Sequence, residues 1–581
     1  MKPLKTGLLT LICLLGIIPS AIAQDTVGKI TLHGIKKNGA ATFTGAAPKG
    51  FNYSSAPRVQ RHPDLIAARR GLTPKGFAAA ASVAGASLRV PVPEPNKVKN
   101  GGNQVGFEGL TTVDTANTNG FVLSPPDQGL CVGNGFVMET INLVMTVYKK
   151  TGLELTTPMS LNTFFGADPN TTFLSDPRCY YDIPTQRWFV SVTNVIDFNN
   201  NRSNLYLAVS ESSDPTGGYN IYSIDTTDDG QNGTPKNPGC NPCFGDQPLL
   251  GADSFGIYLS TNEFGVFNST FNGAQIYALS KATLEAGGVP TVVQIGNLPL
   301  AESIAYSLQP ASSPDLEDEM IWDQKDGTTG GVEYFLSALD FNGTLDNRIA
   351  VWALTNTSSL SQASPSVSLT NVVINSEVYG QPPLATQKVG PYPLGQSLGE
   401  PEETVASNDD RMQQAVFADD HLWGALNTVV SDGIGQNVGI AYFCVKPSMK
   451  HGKLSAKLEG QNYVSVKGAS VMFPSVGVTA GSTAAIALTL TGPSYFPSAA
   501  FARVNPSHAS SVNIVAAGGA PQDDFSGYPP FGTGTARWGD YSSAVADGGS
   551  LWLATEYIPG NIDSLTFFTN FGTFIYEVDL Q

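Results

Sequence analysis

Histidine is nearly absent from this chain. Five occur in 581 residues. The three in the main body, His421, His451 and His508, have no partner pattern, which argues against histidine-metal and serine–histidine triad chemistry. Basic residues are in deficit, with 32 Lys/Arg against 49 Asp/Glu and a net charge of −17. The imbalance is local: residues 24–100 carry +9 and residues 101–581 carry −28. An acidic body excludes nucleic acid as a partner, because phosphate binding needs a basic surface. Long apolar runs are missing too. After Leu8–Ile18 no stretch approaches the ~18–20 apolar residues of a membrane span.

Leu8–Ile18 itself reads as the apolar core of a signal peptide. Lys2 and Lys5 precede it and the small-x-small site Ala21-Ile22-Ala23 follows. The expected product starts at Gln24 and is secreted or periplasmic. Residues 24–102 form a basic, Pro/Ala-rich leader or linker. It has room for one or two strands in Thr26–Thr44 and a short helix at Pro63–Arg70, and residues 45–100 read as weakly ordered.

Cysteine is sparse. The mature chain keeps Cys131, Cys179, Cys240, Cys243 and Cys444. In an oxidising compartment pairs close and an odd count leaves one thiol. Cys240 and Cys243, a C-x-x-C in a Gly/Pro/Asn loop, are expected to form a local disulfide. A redox pair would open a helix after a strand, and no helical pattern follows. The pairing of Cys131, Cys179 and Cys444 is left open.

What the chain does have is a recurring hairpin. Second strands of the unit start at 135, 187, 256, 332, 421, 484 and 550. They read GFVMETIN, RWFVSVTN, GIYLST, VEYFLSALD, HLWGALN, AAIALTL and SLWLATEY. Unequal spacing of one returning hairpin predicts an all-β propeller with insertions, spanning 103–581. The count predicts seven four-stranded blades, with six plus a variant closure as the alternative.

Several phrases then become specific. Pro125–Gly129 with Val132–Val137, Ser175–Arg178 with Arg187-Trp188-Phe189, Gly245–Pro248 with Ser260–Phe264, and Arg537–Ser543 resemble a group of exported bacterial β-propeller proteins of unknown function. They are similar, more loosely, to sialidase-type propellers. The resemblance spans roughly 105–581. It implies the fold and names no activity. Sialidase-type Ser-x-Asp-x-Gly-x-x-Trp boxes are not matched beyond a partial Asp547–Trp552, and the Arg-Ile-Pro motif is missing.

Asp127, Asp176, Asp246, Asp410 and Asp540 each precede an innermost strand, so the fold would gather them at one channel mouth. One reading is a carboxylate ring for Ca²⁺ or for a cationic or polyhydroxylated ligand. The other is that each Asp caps its own turn. Arg178, Arg411 and Arg537 share that geometry. Under the sialidase resemblance they would hold a carboxylate, with Glu263 or Glu556 as acid/base. The plainer reading is Arg–Asp pairs locking neighbouring blades. Gly395-x-Ser397-x-Gly399 sits in a Pro-rich loop, which fails the nucleophile-elbow context. Asp225, Asp228, Asp229 and Asn232 read as a solvated acidic loop, and Asp315–Glu319 and Asp323–Asp326 likewise. The expected function is non-catalytic binding of an extracellular polymer, glycan or protein by a monomer. No cofactor other than Ca²⁺ is suggested. The alternative is a carbohydrate-active hydrolase or lyase using mouth carboxylates.

Overall fold

The computed structural model describes residues 26–43, 88–100 and 105–579, apart from 198–199, 241, 269, 301–302, 315–329, 340–344, 451 and 561–568. The expected signal peptide, the expected helix at Pro63–Arg70 and the acidic runs at 315–319 and 323–326 lie outside the described residues.

The chain is built from small antiparallel sheets that repeat one meander. Gly129–Gly133, Phe136–Ile141, Val144–Lys149 and Met159–Ser160 pair in that order. The meander returns as Thr172–Asp182 through Gly218–Asp225, Cys243–Ala252 through Thr291–Gly296, and Ser470–Val478 through His508–Ala516. Gln309–Ser312 through Ser368–Tyr379 and Met412–Ala418 through Lys453–Val464 are two more. Their first strands touch in parallel at Ala311–Ala415 and Ser312–Val416, giving one eight-stranded sheet. The last sheet runs Ser543–Asp547, Ser550–Tyr557 and Gly572–Asp579, and takes Val105–Thr111 as its outer strand.

The first strands neighbour one another in a closed cycle. Gly129–Gly133 adjoins Thr172–Asp182, then follow Cys243–Ala252, Gln309–Ser312, Met412–Ala418, Ser470–Val478 and Ser543–Asp547, which adjoins Gly129–Gly133 again. This is a β-propeller. Its core lies between sheets. Trp188 and Val190 pack with Cys131 and Met138 of the preceding sheet, and Trp552 packs with Leu130 and Val137 across the junction of last and first. Strands covered on both faces lose the hydrophobic/polar alternation. Gly256–Gly265 is accordingly buried at every position.

The leader supplies outer strands. Lys29–Gly34 pairs with Thr291–Gly296, and Lys36–Thr42 with Gly218–Asp225, so one short stretch straps two adjacent sheets. Residues 88–100 differ from the weak order expected of them. Val98–Asn100 pairs with Val512–Ile514, and the Pro91 carbonyl accepts the Ser431 N–H at 2.8 Å. Proline lacks a donor but keeps its acceptor, so a Pro-rich strand can dock by its carbonyls.

Two disulfides form. Cys240–Cys243 is the expected local bridge, and Cys131–Cys179 ties the first strands of two neighbouring sheets. Cys444 is the leftover thiol, buried, and burial pushes it up to about 12.

Candidate functional site at the axial mouth

Five innermost strands have a tight kink, either just before the strand or as a bulge within it. Asp127, Asp176, Gln247, Ser307 and Phe473 hold the left-handed region there, with φ of 46°, 55°, 49°, 42° and 55°. Non-glycine residues pay about 1 kcal/mol or more for this conformation. The offset comes from the neighbouring sheet. An Asn within or just after a second strand accepts the N–H of the kinked residue in the next sheet: Asn142 from Asp176 at 2.8 Å, Asn262 from Ser307 at 2.7 Å and Asn427 from Phe473 at 2.7 Å.

The repeated aspartates do the same work, which corrects the own-turn reading for two of them. Asp127 Oδ1 accepts the Asp540 N–H at 2.6 Å, and Asp176 Oδ2 accepts the Gln247 N–H at 3.2 Å. Each acceptor and donor lie in different sheets. The arginines largely reverse the expectation as well. Arg411 forks onto Asp409 at 2.6 and 2.7 Å, and Arg537 reaches Asp540 at 3.5 Å, both within their own loops. The Arg411 bond to Gln247 Oε1, 2.5 Å, does cross between sheets. The inter-sheet hydrogen bonds run through carboxylates and amides, while Arg178 and Arg411 also feel the charges of aspartates in neighbouring sheets.

Asp127, Asp176, Asp540, Arg178 and Arg537 lie within electrostatic reach of one another. Arg411 senses Asp540 and Asp246, and Glu556 senses Asp127 and Asp540. Asp410 takes a 3.4 Å bond from the Tyr306 hydroxyl. Burial, then Asp540 and Asp176, pushes the Asp127 carboxyl well above the usual range. Glu556 is raised by burial too, and its Oε2 accepts the Gly539 N–H at 2.7 Å. Glu263 belongs elsewhere, beside the C-x-x-C loop and Asp228.

Below this layer a cavity of about 90 Å³ follows the axis, lined by first-strand residues. Of the ten candidates only Arg178 lines it. Its guanidinium lies 3.3 Å from the Tyr541 ring centroid, and its Nε and Nη2 have no hydrogen-bond partner among the described residues. Gln413, which sequence reasoning passed over, lines the same cavity. It is 2 % exposed with both amide atoms unbonded.

Two insertions cross near the mouth. Thr404–Val405 and Thr535–Ala536 pair in parallel and bring Glu403 against Asp524, whose N–H donates to Glu403 Oε1 at 3.0 Å. Burial, then the Asp524 charge, raises Glu403 to about 10, and burial raises Asp524 to about 6. Gly395–Gly399 overlaps a short helix, Pro393–Leu398, rather than a loop. Ser397 is exposed there and donates to the Leu394 carbonyl. The acidic loop is not simply solvated either, because Arg202 binds both Asp225 and Asp229, and Asp228 is 1 % exposed.

No protein-family model matches the chain, and no curated protein sequence matches it. Among solved structures it is similar to the endosialidase of phage phi92, at 9 % identity over 83 % of this chain and 70 % of that one, with a TM-score of 0.33. An α-L-arabinofuranosidase of Fusarium graminearum gives 9 %, 82 %, 98 % and 0.31. Semaphorin 1b of Drosophila gives 9 %, 85 %, 88 % and 0.31. Likeness at this level carries nothing about substrate or mechanism.

Proposed function

We propose that this chain is a secreted propeller of seven four-stranded blades that binds an extracellular polyhydroxylated polymer at its axial mouth without cleaving it. Residues 1–23 would direct export, residues 24–102 would strap the ring, and residues 103–581 would form the binding body as a monomer. The reading rests on a division of labour. The unbonded donors and acceptor of Arg178 and Gln413 line the axial cavity, whereas Asp127 and Asp176 accept backbone N–H groups of neighbouring sheets. A guanidinium with two unbonded nitrogens beside a primary amide suits hydroxyl and carboxylate groups of a glycan.

Glycosidic hydrolysis needs two carboxyls facing one open cleft, about 5–9.5 Å apart. Asp127, Asp176 and Glu556 are instead occupied by backbone N–H groups, which favours binding over catalysis. A glycan array probed with the mature protein, followed by chromatography of every bound glycan after prolonged incubation, tests this. Retention of intact glycan by wild type and its loss in Arg178→Ala is expected. Release of shortened products would overturn the non-catalytic reading.

A further inference from the structure

The loop after Gly218–Asp225 turns inward instead of staying in solvent. Its Asp228 comes to rest against Glu263 near the end of the strand Gly256–Gly265. Both are 1 % exposed. Glu263 Oε2 takes bonds from Asn237 Nδ2 at 2.6 Å and Gln275 Nε2 at 3.3 Å, and Asp228 Oδ2 takes one from Gln294 Nε2 at 2.8 Å. The other two oxygens, Glu263 Oε1 and Asp228 Oδ1, meet no N–H or hydroxyl donor among the described residues. Their company is the opposite carboxyl.

Buried carboxylate oxygens left this way carry a large desolvation cost unless a proton or a cation is shared between them. Beside them lie Cys240 and Cys243, 1 and 0 % exposed. One carboxylate oxygen of Glu263 and the two sulfurs all fall within 4.8 Å of one another. Two sulfurs and a carboxylate oxygen at that spacing match the donor set of a tetrahedral zinc ion, which takes thiolate, imidazole and carboxylate ligands.

We propose that Cys240, Cys243 and Glu263 form a zinc site whenever the disulfide is open, with Asp228 as the residue that positions Glu263. The disulfide is the closed, metal-free state of the same pocket. Opening takes a dithiol reductant. It delivers two electrons and two protons to the S–S bond, which breaks into two thiols, while the dithiol becomes a disulfide. Zn²⁺ then forms two Zn–S bonds and displaces both thiol protons. A small-molecule disulfide takes the two electrons back and is reduced to its thiols, the Cys240–Cys243 S–S bond re-forms as both Zn–S bonds break, and the ion leaves. Metal capture by this pocket is thus tied to redox state, independently of the axial mouth.

Cobalt(II) is the probe, because thiolate ligation gives it a charge-transfer band in the near ultraviolet. The mature protein is reduced with dithiothreitol in mild denaturant, refolded without metal, desalted under argon and titrated with Co²⁺. The expected result is one Co²⁺ per chain with that band, bleached by Zn²⁺, and no uptake by the oxidised protein. Cys240→Ser/Cys243→Ser should lose the band. Glu263→Gln should weaken binding by about 10- to 100-fold, the usual cost of disturbing a metal's ligand shell. A folded, reduced wild type without the band, or uptake unchanged in the double serine variant, would overturn the proposal. If the reduced chain refolds poorly without metal, refolding yield is the second readout. A yield raised by Zn²⁺ in wild type but not in the double serine variant supports the site, and equal yields refute it.

Discussion

The Asp127 carboxylate accepts the backbone N–H of Asp540 at 2.6 Å, joining the first sheet of the ring to the last. The same carboxylate takes the Asn142 amide at 2.6 Å, and Asn142 in turn accepts the N–H of Asp176. One aspartate and one asparagine therefore fasten three sheets. Losing a buried hydrogen-bond partner costs about 1–3 kcal/mol. Asp127→Ala and Asn142→Ala should each lower stability by that amount in chemical denaturation. Because they share one network, the double variant should lose less than the sum. Additive losses would show that the network does not act as a unit.

Calcium should leave this layer alone. Arg178, Arg411 and Arg537 already sit among its carboxylates, and the Asp127 and Asp176 oxygens are engaged by N–H groups. Millimolar Ca²⁺ is expected to leave the melting temperature unchanged. A rise lost in Asp540→Ala would make the ring an ion site, since a ligand selective for the native state stabilises by mass action.

Glu139 gives the pH dependence a sign. It accepts bonds from the Leu110 N–H at 2.8 Å and Gln128 Nε2 at 2.6 Å, beside the closing strand Val105–Thr111. Burial raises it to about 7. The unfolded chain releases this proton near pH 4.3, so between the two values the folded state binds more protons. Stability is fully present below about pH 4 and is lost as pH rises through about 7. Asp524 and Asp228, each raised to about 6 by burial, act in the same direction. Melting temperature should fall between about pH 5 and pH 8, and fall less in Glu139→Gln. Parallel curves for the two proteins would contradict this assignment.

The hairpins were legible because Trp188-Phe189-Val190 and Leu551-Trp552-Leu553 announce themselves locally. So was the Cys240–Cys243 bridge, set by spacing. Which turn an aspartate caps was not legible, because Asp127 and Asp540 are 413 residues apart and meet only through closure of the ring. The Asn that ends GFVMETIN and HLWGALN was a visible repeat whose role appears only once neighbouring sheets are in place. Gln413 carried no signal. Its importance comes from facing the axis, and strand alternation alone cannot place an axis. Glu403 and Asp524 meet because two long insertions cross, which no local pattern encodes.

The leader should behave as an edge cover. Lys29–Gly34 and Lys36–Thr42 occupy the outer edges of two sheets. Starting the chain at residue 88 instead of 24 should expose both edges, and open edges pair with other chains. Light scattering is expected to show concentration-dependent association of the truncated form. A truncated protein that stays monomeric would show that these edges protect themselves.

The Cys131–Cys179 bridge should be worth about 2–4 kcal/mol, the usual value of a disulfide. Peptide mapping should find it together with Cys240–Cys243, and Cys444 should react with thiol reagents only on unfolding.

The division between ring-fastening carboxylates and ligand-binding axial donors is tested by one comparison. A glycan retained on the array is titrated calorimetrically against wild type, Arg178→Ala and Asp176→Asn, each checked for folding. Arg178→Ala should weaken binding at least about tenfold, or 1.4 kcal/mol, when titrated at a temperature where the variant is fully folded. Asp176→Asn should melt earlier and bind as wild type does. Binding lost in Asp176→Asn but kept in Arg178→Ala would contradict it and return the mouth carboxylates to the functional site.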